Sequence, residues 1–192
     1  MKHQPILVIE HCEPRLSEWL FLEYRHAAKI WDNNVVFTNI CDKRSADRLK
    51  KFGRVVKKNA GEFLNNKKCI VLDPQSKKTL KTEDFQNLQA IIIGGILGCE
   101  KPHGRTKKMI SDRYSFKTRN MGKTQLTIDG AAFIAKAISL GLDLDDIEIT
   151  YEVEIKHDKV HSTILPFGYP IVNSLPLLTP GLIEYLSKES NS

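Results

Sequence analysis

The feature that most constrains the fold is a short apolar run at 90–93, which stops at Gly94 and Gly95 and is soon followed by Gly98. Apolar residues without polar alternation predict a strand that is buried on both faces, as in a parallel sheet. Glycines at the end of such a strand let the backbone approach a ligand, because no Cβ stands in the way. Open α/β sheets bind ligands at the carboxyl ends of their strands. We therefore expect a binding site at this edge.

The rest of the chain alternates between apolar strands and helical segments. Strands are predicted at 6–9, 35–38, 55–56, 69–72 and 115–119, with an alternating strand at 147–155; helices are predicted at 17–30, 45–52, 60–64, 106–112, 128–140 and 181–188. Strands separated by helices favour an α/β fold with a mostly parallel sheet flanked by helices. No internal repeat or linker divides the pattern, so we expect a single domain spanning 1–192.

The composition argues against several classes of protein. No run of ~18 apolar residues occurs, so no membrane-spanning helix is expected. The first apolar run, at 6–9, is too short for a signal peptide, which predicts a cytoplasmic protein. The four cysteines, Cys12, Cys41, Cys69 and Cys99, lack the CxxC spacing of zinc sites. We therefore expect free thiols and no bound metal ion.

The net charge of +6 is concentrated in two regions. Residues 42–68 contain ten lysines and arginines against three acidic residues, and residues 101–123 contain eight against one. Basic clusters of this kind indicate contact with phosphate-rich partners, and a solvated lysine-rich surface is the alternative interpretation.

Two further segments are predicted to meet the glycine-rich segment at the same edge of the sheet. Leu72-Asp73-Pro74 ends an apolar strand with a turn signal, and the irregular segment 119–127 follows the strand at 115–119. The glycines match neither the GxGxxG nor the Walker pattern, which disfavours nicotinamide dinucleotides and nucleoside triphosphates. Three loops at one edge would suit a ligand of the size of adenosine, whereas ordinary tight turns would give the same pattern.

Acidic and aromatic residues follow the first predicted strand. Glu10 and His11 end this strand, and Glu18, Trp19 and Glu23 fall in the first predicted helix. Trp19 and Glu23 are four residues apart and therefore share a helix face. Carboxylates beside an aromatic ring suit a cationic side chain such as arginine. Solvated helix carboxylates and a core tryptophan are the alternative.

Together these segments resemble the SPOUT class of protein arginine methyltransferases, whose archaeal relatives are described as predicted RNA methyltransferases. The likeness spans about 6–169 and is carried by the motifs at 8–11, 17–19, 22–24, 72–74, 94–98, 105–106 and 121–127. GGILG combined with the upstream LDP and the downstream GKxQLT is specific, although each motif alone is weak.

The resemblance implies an α/β fold with a C-terminal trefoil knot that holds S-adenosylmethionine. Its three loops would supply the cofactor contacts, from Leu72, Asp73, Pro74, Gly94, Gly95, Ile96, Leu97, Gly98, Arg119, Met121, Gly122, Gln125, Leu126 and Thr127. In methyl transfer to arginine, the carboxylates of Glu10, Glu18 and Glu23 would orient the guanidinium. His11 would accept a proton, and Arg105 would hold the cofactor carboxylate or a backbone phosphate.

The resemblance also bears on the partners. Eukaryotic members methylate an arginine of a small-subunit ribosomal protein, which predicts a ribosomal protein as substrate here. In this chain the acidic residue expected directly after Gly98 is displaced, because Cys99 stands there and Glu100 follows. One alternative is an RNA methyltransferase with phosphate contacts from Arg105, Lys107, Lys108 and Arg119. Another is a non-enzymatic module that binds RNA or the ribosome. Either a monomer or a knot-mediated homodimer is compatible with the sequence.

Overall fold

The computed structural model describes residues 4–64, 68–98, 103–122, 124–156 and 162–189. The predictions that concern Cys99, Glu100 and the lysines at 67, 101 and 123 lie outside these ranges. The elements, in chain order, are β1 (Ile6–His11), α1 (Glu18–Ile30), β2 (Val35–Thr38), α2 (Lys43–Leu49), β3 (Arg54–Val55), α3 (Ala60–Leu64), β4 (Cys69–Leu72), a 3₁₀ turn (Thr82–Phe85), β5 (Ala90–Gly95), a π-helix (Lys107–Ser111), α4 (Asp112–Tyr114), β6 (Lys117–Arg119), α5 (Ile128–Ser139), a 3₁₀ turn (Leu144–Asp146), β7 (Ile149–Lys156), β8 (Ser162–Val172), β9 (Leu175–Pro176) and α6 (Leu182–Glu189).

The main sheet has six strands in the order β3-β2-β1-β5-β4-β6, and every strand pair within it is parallel. The mostly parallel α/β sheet predicted from the sequence is thus confirmed. Strands β5, β4 and β6 are neighbours, so their carboxyl ends lie side by side. This order brings the three predicted ligand loops to one edge.

Both faces of the central strands are covered, which explains their continuous apolar sequences. In β1, Leu7 and Ile9 belong to the larger core with α1 and α5, whereas Val8 packs in a smaller core on the opposite face. In β5, Ile91 and Ile93 face the larger core and Ile92 faces the smaller one. The alternation of Cβ directions along a strand produces this division.

A second sheet, β7-β8-β9, is antiparallel and lies outside the predicted parallel sheet. The sequence predicts that odd-numbered residues from 147 to 155 share one side of a strand. The strand instead begins at Ile149, and a bulge shifts its register between Tyr151 and Val153. Glu152 has φ of 59° at this bulge. The extra residue of the bulge lies on β8, since one residue separates Tyr151 from Val153 whereas two separate Leu165 from Gly168. Tyr151 is 53% exposed, whereas Ile155 is buried.

The predicted helices are present, with some changes at their ends. Ser17 caps α1 by accepting a hydrogen bond from the Leu20 amide, as its residue type favours. The helix predicted at 45–52 begins two residues earlier, because Asp42 is its N-cap and accepts from the Ser45 amide. The helix predicted at 106–112 is largely a π-helix.

Two broader expectations also concern the fold. The predicted trefoil knot stays a prediction, because strand order and register do not specify how the chain threads. No helix in the described ranges is both long and apolar enough to cross a membrane.

Candidate functional site

A cavity opens at the carboxyl ends of β5, β4 and β6. Its lining comes from four segments: Leu72, Asp73, Pro74 and Gln75; Ile93, Gly94, Ile96, Leu97 and Gly98; His103, Gly104, Arg105 and Thr106; and Met121, Gly122, Thr124, Gln125, Leu126, Thr127, Ile128 and Ala131. The structure therefore gathers the three sequence-predicted loops around one space. Two of the predicted cofactor residues, Gly95 and Arg119, do not line it.

The first loop is braced by the side chain of Asp73, which is 3% exposed. Its Oδ1 accepts from the Gln75 amide at 2.9 Å, and its Oδ2 accepts from the Ser111 hydroxyl at 2.7 Å. The Asp73 amide donates to the Arg119 carbonyl at 2.8 Å. Because the Asp73 carboxylate is occupied by protein donors, its role here is to fix the loop backbone. The backbone then presents Leu72 and Pro74 to the cavity.

The glycines of the second loop lie against different neighbours. A Cβ at Gly98 would lie 2.0 Å from the Gln125 side-chain nitrogen and 2.5 Å from the Phe167 ring. Gly98 therefore permits contact between the second and third cavity loops. A Cβ at Gly95 would lie 1.9 Å from the Tyr24 hydroxyl, so the close approach at this position is to a core tyrosine rather than to the cavity.

The third loop leads into α5. Gly122 has φ of +91°, and no atom of the described residues beyond its chain neighbours lies within 4 Å of where its Cβ would stand. At the end of the loop, Thr127 caps α5 by accepting from the Gly130 amide at 3.1 Å. The Ile128 amide donates to Glu23 of α1 at 2.9 Å. These bonds tie the cavity wall to the larger core.

The lining suits an adenosine-containing ligand. Leucine, isoleucine, methionine and alanine side chains provide apolar walls for a purine ring, and Gln75, Gln125 and Thr127 add polar groups in a few places. Small-molecule sites are typically apolar with a few placed polar groups. The residues therefore fit S-adenosylmethionine as a ligand of the cavity. No group of acidic, histidine or cysteine residues with metal-binding geometry occurs in the described ranges.

Among the residues predicted to act on the substrate, Glu10 and His11 point to opposite faces of β1. Glu10 is 3% exposed; it accepts from Thr38 and from the Ala60 amide at 2.8 Å, so its carboxylate caps α3. Burial raises the pKa of Glu10, and these hydrogen bonds oppose the rise. His11 lies 2.9 Å from the Tyr24 hydroxyl through Nδ1. Burial lowers its pKa.

The two helix carboxylates also differ in their surroundings. Glu18 is on the surface and pairs with Arg48 at 2.5 Å, which matches the solvated alternative. Glu23 is 3% exposed and accepts a 2.6 Å hydrogen bond from the Trp19 indole. The predicted contact between Trp19 and Glu23 is thus present. Burial, and next the charge of Asp129, raises the pKa of Glu23 to about 8.

Of the five residues predicted for substrate chemistry, only Arg105 lines the cavity. Its guanidinium donates to Glu13 at 2.7 Å, and the same Glu13 oxygen accepts from the Leu97 amide at 3.0 Å. Glu13 therefore joins the loop after β1 to two sides of the cavity. The sequence reasoning counted Glu13 among the acidic residues after the first strand but gave it no role. It missed the buried Asp129, because one carboxylate in an apolar helix gives no periodic signal.

Three comparisons with known proteins agree with this geometry. Residues 6–192 match the family described as "Protein arginine N-methyltransferase SFM1-like". The chain is 27% identical to protein arginine N-methyltransferase SFM1 of Saccharomyces cerevisiae, over 95% of this chain and 94% of that protein.

Solved structures extend the likeness to the fold. The structure of the yeast arginine methyltransferase SFM1 with S-adenosylhomocysteine superposes with a TM-score of 0.87, at 25% identity and covering 94% of each chain. Its complex with S-adenosylmethionine gives 0.86 at 25% identity, covering 100% of this chain and 94% of that one. A Trm10 from Thermococcus kodakaraensis shares the fold, with a TM-score of 0.57 at 16% identity, over 74% of this chain and 96% of that one. The chain belongs to the SFM1-like family of protein arginine N-methyltransferases, and its fold is that of the SPOUT methyltransferases.

Proposed function

We propose that this chain transfers the methyl group of S-adenosylmethionine to an arginine side chain of a protein substrate. The observation that carries the proposal is the cavity itself, in which three loops of an SFM1-like chain converge at the carboxyl edge of a parallel sheet. The apolar walls and scattered amide groups suit the cofactor. The two yeast SFM1 complexes named above hold S-adenosylmethionine and its demethylated product in a chain of the same fold.

When bound, the cofactor supplies an electrophilic methyl group on a positively charged sulfur. The protein then has to place a nucleophilic nitrogen in line with that methyl group, and such positioning accounts for much of the rate of a two-reactant step. In this proposal the three cavity loops hold the adenosine part of the cofactor, with Gly98 and Gly122 giving room for close contact. The Glu13–Arg105 pair closes the rim near Leu97. Glu23, which accepts the hydrogen bond from Trp19, supplies the carboxylate that would bind the guanidinium of the substrate.

Other predicted roles receive no support from the geometry. Glu10 caps α3 and Glu18 pairs with Arg48, so neither carboxylate is available to the cavity. The Arg119 guanidinium binds Asp84 through two hydrogen bonds of 2.6 and 2.7 Å, which leaves it a structural residue. His11 stays a candidate proton acceptor, since burial favours its neutral form.

The proposed substrate is a ribosomal protein, which places the enzyme in the cytoplasm. Exposed cations on α2 and the loops around β3 support docking on a particle rich in phosphate; they are Lys43, Arg44, Lys50, Lys51, Arg54, Lys57 and Lys58. Direct methylation of RNA is less well supported. Of the four phosphate contacts expected for it, Arg105 and Arg119 are held by carboxylates. Either a monomer or a homodimer is compatible with the proposal.

The test uses whole ribosomes and free ribosomal proteins from a strain that lacks this gene, incubated with the purified protein and radiolabelled S-adenosylmethionine. Label that survives RNase and is lost on protease treatment, and that maps by mass spectrometry to a methylated arginine, is the expected result. Label that survives protease and is lost with RNase would establish an RNA methyltransferase instead. Absence of S-adenosylmethionine binding by calorimetry at millimolar ligand would leave a non-enzymatic binding module.

A further inference from the structure

Two carboxylates are buried beside each other at the start of α5. Glu23 of α1 is 3% exposed and Asp129 of α5 is 0% exposed. Glu23 accepts from the Ile128 amide at 2.9 Å, and Asp129 accepts from the Gly130 amide at 3.0 Å. The two side chains thus bind the first turn of a helix whose residues line the cofactor cavity.

Their other donors supply little positive charge. Glu23 accepts from the Trp19 indole, and Asp129 accepts from His26 at 2.7 Å and from the Thr179 hydroxyl at 2.5 Å. Within the described ranges, no lysine or arginine lies within 4 Å of either carboxylate. The one basic side chain among these donors, His26, contacts Asp129 and not Glu23. Buried carboxyl groups are normally paired or neutralised, so this pair has the charge to bind a further cation.

A third polar group points to what completes the cluster. The hydroxyl of Tyr169, on β8, is buried and has no hydrogen-bond partner among the described residues, and the residue is 0% exposed. The strand that carries Tyr169 packs against the start of α5, since a Cβ at Gly130 would lie 3.3 Å from Pro170. Burial, followed by the charges of Glu23 and Asp129, raises the pKa of Tyr169. Buried hydroxyls are normally hydrogen-bonded, because leaving one unpaired costs free energy.

The chemistry of the four side chains matches a guanidinium. A guanidinium is flat, carries one positive charge and offers five N–H donors without an acceptor. Two carboxylates and a hydroxyl oxygen provide acceptors, and the Trp19 ring provides a flat face for stacking. An ammonium ion would use the acceptors but gain less from the ring.

We propose that Trp19, Glu23, Asp129 and Tyr169 form the subsite for the arginine side chain that is methylated. This inference rests on the proposed function. Because Glu23 is 3% exposed, the guanidinium reaches it when the half-buried Trp19 ring turns aside and then stacks on the arriving group. His26 and Thr179 hold Asp129 in place and do not touch the substrate.

The subsite adjoins the cavity through a shared wall residue, although none of its four side chains lines the cavity. Ile128 lines the cavity while its amide binds Glu23, and Phe167, two residues before Tyr169, lies against Gly98. In the transfer, a guanidinium nitrogen forms the N–C bond to the methyl carbon as the C–S bond breaks and its electron pair stays on sulfur. The same nitrogen loses a proton to the Glu23 carboxylate, so the methylated guanidinium keeps one positive charge.

The test measures binding of a minimal probe, Nα-acetyl-L-arginine methylamide, by NMR titration of the full chain saturated with S-adenosylhomocysteine. The neutral citrulline analogue is the matched ligand. We expect the arginine probe to bind and the citrulline analogue to bind at least tenfold more weakly, because it lacks the charge. The Tyr169→Phe variant should bind the arginine probe about fivefold to tenfold more weakly, the ratio that one hydrogen bond supports.

Tyr169→Phe separates binding from folding, since the hydroxyl that it removes bonds to no residue in the described part of the chain. Its melting temperature should equal or exceed that of the wild type. Tyr151→Phe is the control, because Tyr151 is 53% exposed on β7; it should bind the probe as the wild type does. Glu23→Gln should abolish the preference for arginine over citrulline.

Three results would overturn the inference. They are unchanged affinity of Tyr169→Phe for the arginine probe, equal binding of the arginine and citrulline probes by the wild type, and failure of the wild type to bind the arginine probe. Calorimetry with S-adenosylmethionine and the ribosome assay are run on the same preparations. If those succeed while the probe experiment fails, the proposed function stands and the subsite lies elsewhere.

Discussion

The hydroxyl of Tyr24 occupies the space that a Cβ at Gly95 would need. It donates a 3.2 Å hydrogen bond to the Gly95 carbonyl and lies 2.9 Å from Nδ1 of His11. A Cβ at Gly95 would stand 1.9 Å from this oxygen and 2.9 Å from the Glu10 carbonyl. Because Gly95 has no Cβ, α1 can pack through Tyr24 against the ends of β1 and β5, next to the cavity that the glycines at 94 and 98 line.

The first prediction concerns this packing contact between Tyr24 and Gly95. Gly95→Ala should lower the free energy of unfolding by about 1–3 kcal/mol, the range for an overpacked core position. Urea denaturation checks the value. The double variant Gly95→Ala with Tyr24→Phe should recover part of the loss relative to the sum of the single variants, because the closest clash is with the hydroxyl. Additive losses would show that the clash is elsewhere.

The second prediction concerns Gly98. A Cβ there must displace the Gln125 amide and press on the Phe167 ring, both of which belong to or border the cavity wall. Gly98→Ala should weaken S-adenosylmethionine binding by about tenfold, which corresponds to about 1.4 kcal/mol, as measured by calorimetry. The far end of Gln125 is flexible, so the melting temperature should change much less than for Gly95→Ala. Wild-type affinity in Gly98→Ala would mean that the contact between the two loops does not shape the site.

The third prediction concerns Arg119, whose side chain pairs with Asp84 at a site where both are about one-tenth exposed. Arg119→Met should destabilise the fold by about 2–3 kcal/mol, because it leaves a largely buried carboxylate with little compensation. Lys117→Met is the control: Lys117 lies 3.5 Å from the same carboxylate but is 56% exposed, and its loss should cost at most about 1 kcal/mol.

This ion pair also has a defined pH dependence. Burial by itself would raise the pKa of Asp84, but the hydrogen bonds and charge of Arg119 outweigh it and hold the pKa below 3.8. A depressed carboxyl pKa contributes stability that is fully present above the unfolded-state value and is lost as the pH falls through the folded-state value. The stability gap between wild type and Arg119→Met should therefore close below about pH 4. A gap that persists at low pH would mean that packing of the arginine stem dominates.

The fourth prediction concerns Glu23, with its pKa raised from 4.5 to about 8 by burial and then by the charge of Asp129. Between these values the folded state binds a proton that the unfolded state has released, so ionisation opposes folding as the pH rises. Glu23→Gln cannot ionise. Its stability relative to the wild type should increase steadily from pH 5 to pH 8, as measured by thermal unfolding across that range. A constant difference would show that Glu23 keeps an ordinary pKa.

The loops that line the cavity follow from the sequence more directly than the roles of their glycines do. The three loops could be predicted because each follows a predicted strand, and the carboxyl ends of neighbouring parallel strands meet. Gly95 could not be separated from Gly94 and Gly98 by sequence, since all three are glycines after the same strand. Only the packing of Tyr24, a residue of α1, distinguishes Gly95, which contacts the core while Gly94 and Gly98 line the cavity.

The acidic residues show a second limit of sequence reasoning. Glu10, Glu18 and Glu23 are close in the sequence and looked like one group, yet one caps α3, one is on the surface and one is buried against α5. Strand alternation sends Glu10 away from its neighbour His11, and helix periodicity separates Glu18 from Glu23. The neighbours of Glu23, Ile128 and Asp129, lie about 100 residues further along the chain.

The sequence by itself determined the order of the strands and helices of the main sheet, its parallel character and the edge at which the cavity forms, because these depend on local periodicity and on glycines at strand ends. The tertiary structure alone decided which side chains meet there. The Glu13–Arg105 pair and the cluster of Glu23, Asp129 and Tyr169 join distant segments. Contacts of that kind follow from how the elements pack against each other, and no short sequence window contains them.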